Sequence, residues 1–442
     1  MEIHIVRPGD TLYKIAREYG VPMSQLLRDN GIPDPARLSV GQAIVVQFPE
    51  KIYTVRPGDT LSSIARSSGL SLRQLLRNNF GLSTRDELYP GETLVLSYRQ
   101  SKLGSLSVNA YAYPYIDQAL LHEALPYLSD LSPFTYGLRP QGGLVQLEDG
   151  ALLRAAMSFG VRPLLHLSTL TETGGSSSDL AHTVLNDPAA QQRTIQELLT
   201  TIREKGYGGL DVDFEYLDGQ DALPYARFIG QLHSLLSPMG MPVLTALAPK
   251  TFAAQPGTLY EGHDYALLGQ ATDGVLLMTY EWGYTYGPPM AVAPIRNVRQ
   301  VVEYALTEIP PEKIWLGVPT YGYDWTLPYE KGSRATSLSD PRALELAVSY
   351  RAAIRYDETA QAPWFPYTDE NGRQHEVWFE DARSIRAKLA LTAEYDLSGV
   401  GYWNLMRPFA QNWVVLNALY HIKDAPALER RRSPLDFPGK LR

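Results

Sequence analysis

The spacing of apolar and polar positions divides the chain into two regimes. Over the first hundred residues the strands are short and alternating, IHIV at 3–6 and IYTV at 52–55. Each is followed by Pro-Gly, an Asp placed as a helix N-cap, and a run of helical period. Each unit closes on a second apolar strand, AIVVQF (43–48) and TLVLSY (93–98). The two units are one repeat: VRPGDTL stands at 6–12 and again at 55–61, an offset of 49 residues. Ile15-Ala16-Arg17 matches Ile64-Ala65-Arg66, and Gln25-Leu26-Leu27-Arg28 matches Gln74-Leu75-Leu76-Arg77. The order strand, helix, helix, strand predicts a two-stranded sheet with two helices against it. A short polar connector, Tyr98 to Ser105, predicts a tethered but adjustable link to the rest of the chain.

From Leu106 to about Lys423 apolar runs alternate with helix-period segments. The strand candidates are 106–113, 131–138, 162–170, 209–217, 242–249, 274–282, 313–323 and 398–406. Helix candidates lie between them at 144–159, 188–206, 221–238, 294–308 and 383–396. Eight strands alternating with helices predict an α/β fold, a (β/α)8 TIM barrel, with a small inserted α+β lobe at about 326–380 between strands seven and eight. No glycine-rich phosphate loop follows the first strand, which disfavours an open doubly wound sheet. On strand four Asp211, Asp213 and Glu215 alternate, so all three point to one face. Leu210, Val212, Phe214 and Leu217 are apolar and place the acids in the barrel interior. Stacked buried carboxyls push at least one pKa upward, and a carboxyl that stays protonated near neutral pH is a general acid.

Composition narrows the chemistry. The 442 residues carry a formal charge of −8, which argues against nucleic acid as a partner. Residues 1–98 hold 11 basic and 10 acidic side chains, so the remainder carries −9. Cysteine is absent, excluding disulfides, thiol nucleophiles and Cys-ligated metal. The eight histidines show no metal-ligand spacing, and His166 and His233 read as packing or surface residues. No apolar run approaches the ~20 residues of a membrane span. MEIHIVRPGD does not look like a secretion signal. The C-terminal RRRSP (430–434) reads as a solvated tail.

The repeat resembles the LysM module, which binds N-acetylglucosamine chains in peptidoglycan or chitin, over 2–48 and 51–98. The resemblance implies a sugar groove formed by Gly9, Asp10 and Thr11 with Asn30 and Ile32. In the second module the groove is formed by Gly58, Asp59 and Thr60 with Asn79. Residues 104–425 resemble family 18 glycoside hydrolases. GGLDVDFE (208–215) is similar to the family's DxxDxDxE signature, MTYE (278–281) to MxYD, and Trp403 after GVGY to the strand-eight tryptophan under the sugar. GVPTYGYDW (317–325) and EVWFEDARSI (376–385) resemble the LysM-bearing branch of spore-forming bacteria.

The resemblance implies a retaining, substrate-assisted glycosidase acting on peptidoglycan, with no metal or organic cofactor. Glu215 would be the general acid, Asp213 the stabiliser of the oxazolinium intermediate, Asp211 the partner sharing charge behind it, and Tyr280 the orienter of the acetamido group. Trp403, Met278, Glu281, Tyr321, Trp282 and Tyr216 would line the sugar site. It also implies a place in the spore envelope, with synthesis in the mother cell. A chitinase and a catalytically silent wall-binding protein remain as alternatives. Three departures stand out: Gly208 replaces the first motif acid, Glu281 replaces an Asp, and SxGG on strand three is displaced to Gly174-Gly175.

Overall fold

The computed structural model describes residues 1–85, 87–171, 175 and 177–425. Gly174 and the basic tail 430–434 lie outside the described residues. The eight barrel strands run Gly104–Ala112, Asp130–Pro133, Arg162–Ser168 (interrupted at Leu164), Leu210–Asp213, Val243–Leu247, Gly274–Leu277, Ile314–Pro319 and Gly399–Trp403. All pair in parallel: strand eight returns to strand one, strand one pairs strand two, and strand two meets the first half of strand three. Tyr420–Ile422 adds to the outer part of strand one.

Each strand buries its apolar residues because helices cover the outside. Leu210, Val212 and Phe214 are fully buried in one continuous core with Ile229 and Leu232 of the helix Ala222–Leu236. That burial is the principal stabilising term of the barrel. Strand four is shorter than the 209–217 the alternation predicted, ending at Asp213. Glu215 and Tyr216 belong to the turn beyond it, where Tyr216 takes a left-handed φ of 56°. The strand can end early because two backbone carbonyls at its exit have side-chain donors. Thr245 Oγ1 donates to Val212 O (2.9 Å), and His263 Nε2 to Phe214 O (2.8 Å).

The inserted lobe begins four residues before the predicted start. Its five-stranded antiparallel sheet runs from Gly322–Leu327 to Gln374–Trp378, with the helix Asp340–Ser349 against it. A buried ion pair, Lys388 Nζ to Glu380 Oε2 (2.8 Å), lies where the lobe rejoins the barrel.

Both N-terminal modules have the predicted strand–helix–helix–strand form, with Glu2–Ile5 antiparallel to Ala43–Val46 and Pro49–Thr54 antiparallel to Thr93–Tyr98. Three expectations are corrected. First, Asp10 and Asp59 are not the N-caps; Thr11 and Thr60 are, accepting from the Lys14 and Ser63 amides. The aspartates instead close the Pro-Gly turn, accepting from the Arg7 and Arg56 amides at 2.7 Å each.

Second, Asn30 and Asn79 are buried and pin helix to strand. Asn30 Nδ2 donates to Leu26 O and Val45 O while its Oδ1 accepts from Val45 N, and Asn79 repeats the set with Leu75 and Val95. Ile32 is core. These three side chains are therefore spent on the module's own fold, whereas Gly9, Thr11, Gly58 and Thr60 face outward.

Third, the modules are docked rather than loosely tethered. Val45 and Phe80 join the barrel core. Gln411 and Asn417, on the barrel helix Ala410–Leu419, reach one module each. Gln411 Nε2 donates to Asn30 Oδ1 (2.9 Å) and Ala43 O (2.8 Å), and Asn417 Nδ2 to Arg77 O (3.1 Å). Arg77, nearly buried, donates to Pro126 O and pairs with Asp424. Module one also touches the lobe, where Ile354 N donates to Val40 O (2.8 Å).

Candidate active site

The C-terminal ends of the barrel strands gather the predicted acids. Asp211 and Asp213 project inward from strand four, and Glu215 continues the column past its end. Asp211 is fully buried and its Oδ2 accepts from Ser132 Oγ on strand two (3.0 Å). Burial pushes the Asp211 carboxyl above its ordinary range, opposed by nearby His166. Asp213 is also raised by burial. Glu215 is raised by burial first, then by the negative charges of Asp213 and Glu281. No Lys or Arg pairs with the column among the described residues, so burial outweighs the polar contacts and all three carboxyls are raised. The arrangement holds a carboxylic acid near neutral pH at the mouth of the barrel.

Glu215, Tyr216, Pro249, Leu259, Tyr260, Met278, Tyr280, Glu281 and Trp282 line a cleft of about 170 Å³. Tyr280 lies just past strand six, its phenol kept protonated by burial and the surrounding acids. Its ring fits only because position 317 on strand seven is glycine. A Cβ there would lie 2.4 Å from Leu277 O and 2.9 Å from the Tyr280 ring. Trp403 ends strand eight and packs edge-on to Phe134 (4.9 Å between centroids) and near Tyr111 (5.6 Å). These contacts fix the indole as an apolar floor. Tyr113 stacks on Tyr115 at 5.3 Å, and Tyr115 is largely exposed at the rim.

Glu281 is near enough to raise Glu215, but its carboxylate is engaged on the other side. Its backbone is left-handed (φ 65°), and its carboxylate accepts from the Tyr321 and Tyr323 hydroxyls of the lobe. The Arg407 guanidinium lies 5.7 Å over the Tyr321 ring. Tyr321 thus supports the cleft wall through Glu281 instead of facing the cleft floor, and the lobe is tied to the barrel there.

Several residues of the site escape sequence reasoning. Ser132, Tyr111, Thr245 and His263 hold the column or the strand-four exit, and no local motif marks them. They come from four different strands and loops, and only the closed barrel brings them together. His233 is at the surface as expected, beside Asp273 (3.2 Å). His166 is fully buried, and its Nε2 faces Asp213 Oδ2 at 3.7 Å.

A parallel (β/α)8 barrel with this carboxyl column, Tyr280 and Trp403 at its C-terminal end defines a glycoside hydrolase. The family model for glycosyl hydrolases family 18 matches residues 165–407, and that for the LysM domain matches 4–47 and 53–97. The chain belongs to glycosyl hydrolases family 18. It is 43% identical over 429 residues to the cortical fragment-lytic enzyme of Bacillus subtilis (strain 168), covering 96% of this chain and 99% of that protein. The cortical fragment-lytic enzyme of Bacillus anthracis is 39% identical, over 94% and 97% of the two chains. The crystal structure of the Bacillus cereus spore cortex-lytic enzyme SleL superimposes with a TM-score of 0.81 at 37% identity, covering 96% of this chain and 98% of that one. A chitinase from Chromobacterium violaceum ATCC 12472 aligns at TM-score 0.66 and 25% identity, over 71% and 98%. Among the described residues no helix is long and apolar enough to cross a membrane.

Proposed function

We propose that this enzyme hydrolyses N-acetylglucosamine bonds in spore-cortex peptidoglycan by a retaining, substrate-assisted route. The observation that carries this is the buried carboxyl column, with Asp213 and Glu215 both raised by burial and Tyr280 within their electrostatic reach. Glu215 donates its proton to the leaving oxygen while the sugar's own 2-acetamido oxygen attacks the anomeric carbon. With the proton the two aspartates share resting on Asp211, Asp213 is the carboxylate that accepts from the acetamido N–H and balances the oxazolinium charge. Tyr280 donates to the acetamido oxygen and holds it for attack. Trp403 carries the apolar face of the ring. Water then opens the oxazolinium with Glu215 as base, and configuration is retained. In the modules Gly9, Asp10, Thr11, Gly58, Asp59 and Thr60 are the groups offered to glycan.

The chemistry restricts the cut. A muramic δ-lactam has its nitrogen locked in a ring and cannot form an oxazolinium, so the bond broken is the one following N-acetylglucosamine. Digesting cortex fragments and identifying new reducing ends by mass spectrometry tests this. N-acetylglucosamine ends are expected, and muramic-lactam ends refute it. The similarity to a chitinase favours one second reading, a chitooligosaccharide hydrolase, and comparable turnover of chitin oligomers and cortex fragments would support it. The cortex named for the relatives points to the spore envelope as the place of action. Immunogold labelling of spore sections checks that placement.

A further inference from the structure

Gly208 leaves the motif without its first acid, and behind Asp211 the column ends on uncharged groups, Ser132 and the Asn109 amide that hydrogen bonds it (3.1 Å). A histidine also reaches the column. His166, on strand three, stands in register with Asp211 and is fully buried. Its ring is held by Phe134 at 4.8 Å and by Tyr111, edge-on, at 5.3 Å, so it cannot turn away.

The two ring nitrogens have different surroundings. Nδ1 lies 2.6 Å from Thr135 Oγ1. Nε2 has no hydrogen-bond partner and lies 3.7 Å from Asp213 Oδ2, an electrostatic contact rather than a hydrogen bond. The Thr135 hydroxyl has one proton, and Nδ1 is nearer to it than its other acceptors, Tyr136 O and Ser168 Oγ at 3.1 Å and His166 O at 3.3 Å. With that proton given to Nδ1, the ring proton sits on Nε2, facing Asp213, and this is the tautomer the proposal uses. The titratable groups around the ring are Asp211 and Asp213 from strand four and Tyr111 from strand one. Thr135 and Ser168 supply the remaining polar contacts.

Resting on the glycosidase reading, we propose that His166 is a positioning residue for Asp213. It is a neutral imidazole whose Nε2–H dipole favours the Asp213 carboxylate at the moment positive charge develops on the sugar. Burial holds the imidazole down at about 4, so across the working range it acts through its dipole and carries no charge.

The test compares pH profiles of kcat/KM on a defined N-acetylglucosamine oligosaccharide for wild type, His166→Leu and His166→Gln. The acid limb reports ionisation of the Asp213 side of the pair and the basic limb the Glu215 side. In His166→Leu the acid limb is expected to move up by about one pH unit, with the basic limb unmoved. His166→Gln, which retains an N–H donor, is expected to recover part of the shift. An unmoved acid limb with lower activity at every pH overturns the proposal in favour of simple packing, and a downward shift overturns it in favour of an accepting Nε2. ¹⁵N NMR of the wild-type histidine side chains decides the matter without any variant. A buried Nε2–H imidazole that does not titrate between about pH 5 and 9 supports the assignment, and an Nδ1–H form refutes it. If wild type cleaves no N-acetylglucosamine glycan, the glycosidase reading fails, whereas the ¹⁵N result bears on His166 alone.

Discussion

Replacing Gln411 by alanine should loosen the first module from the barrel without touching the cleft. The side chain is nearly buried and makes three contacts. Nε2 donates to Asn30 Oδ1 and Ala43 O, and Oε1 accepts from Ala382 N at 3.0 Å. Asn30 Oδ1 keeps a donor in Val45 N after the change. The other two groups do not. Ala43 O loses this donor, and Ala382 N lies one residue before the amides that Asp381 caps, so it has no substitute. A buried polar group left unpaired costs ~1–3 kcal/mol, giving about 2–6 kcal/mol for the pair. All seven tryptophans lie beyond residue 98, so fluorescence in guanidinium follows the barrel and lobe alone. Amide hydrogen exchange at Ile44 to Val46 follows the module. Protection there should fall by roughly 30-fold or more, and the barrel midpoint should shift by a smaller amount. Tyr13→Ala, an exposed control in the same module, should stay within about 0.5 kcal/mol. If Gln411→Ala changes protection by less than about 1 kcal/mol, the Gln411 contact is incidental and the first module is held by its other contacts, Val45 in the core and Val40 against the lobe.

Three further outcomes are expected. Glu215→Gln should lower kcat on cortex fragments by about 10²–10⁴ with the thermal midpoint held or raised, measured by reducing-end release and calorimetry. Because burial raises Asp211, Asp213 and Glu215, the native state holds more protons than the unfolded chain above the ordinary carboxylate pKa. Stability should therefore fall as pH rises through the raised values, and Glu215→Gln should flatten that slope in denaturant titrations from pH 5 to about 9. Gly317→Ala should cost about 1–3 kcal/mol and displace Tyr280, lowering kcat more than it raises KM. Unchanged kinetics in that variant would remove Tyr280 from the mechanism.

Much of the fold and site is readable in the chain because the informative signals are local. The 49-residue repeat and the alternation of Asp211, Asp213 and Glu215 need no knowledge of distant contacts. Trp403 stands out from a short strand motif. The rest is set by closure and docking. Ser132 and His166 face the acids only because strands two, three and four are neighbours, and Glu281 turns to the lobe because of a left-handed backbone no periodicity reveals. Asn30 and Asn79 are read as groove residues through the resemblance of the repeat to LysM modules, which carries loop positions over but not side-chain directions. In the folded module both are anchors, and the pairing of each with a closing strand emerges only there. His166 reads as a packing residue; its burial agrees, but its neighbour is a carboxyl.

The helix Ala410–Leu419 holds one module through Gln411 and the other through Asn417, and it follows directly on the strand that ends at Trp403. Grip and blade therefore share one rigid frame. On the proposed function, a glycan held by either module would be presented to the cleft from a fixed position, as a caliper fixes a gap. Strands that cannot span that interval gain no avidity from the second contact, whereas those that match it meet the acid at a high effective concentration.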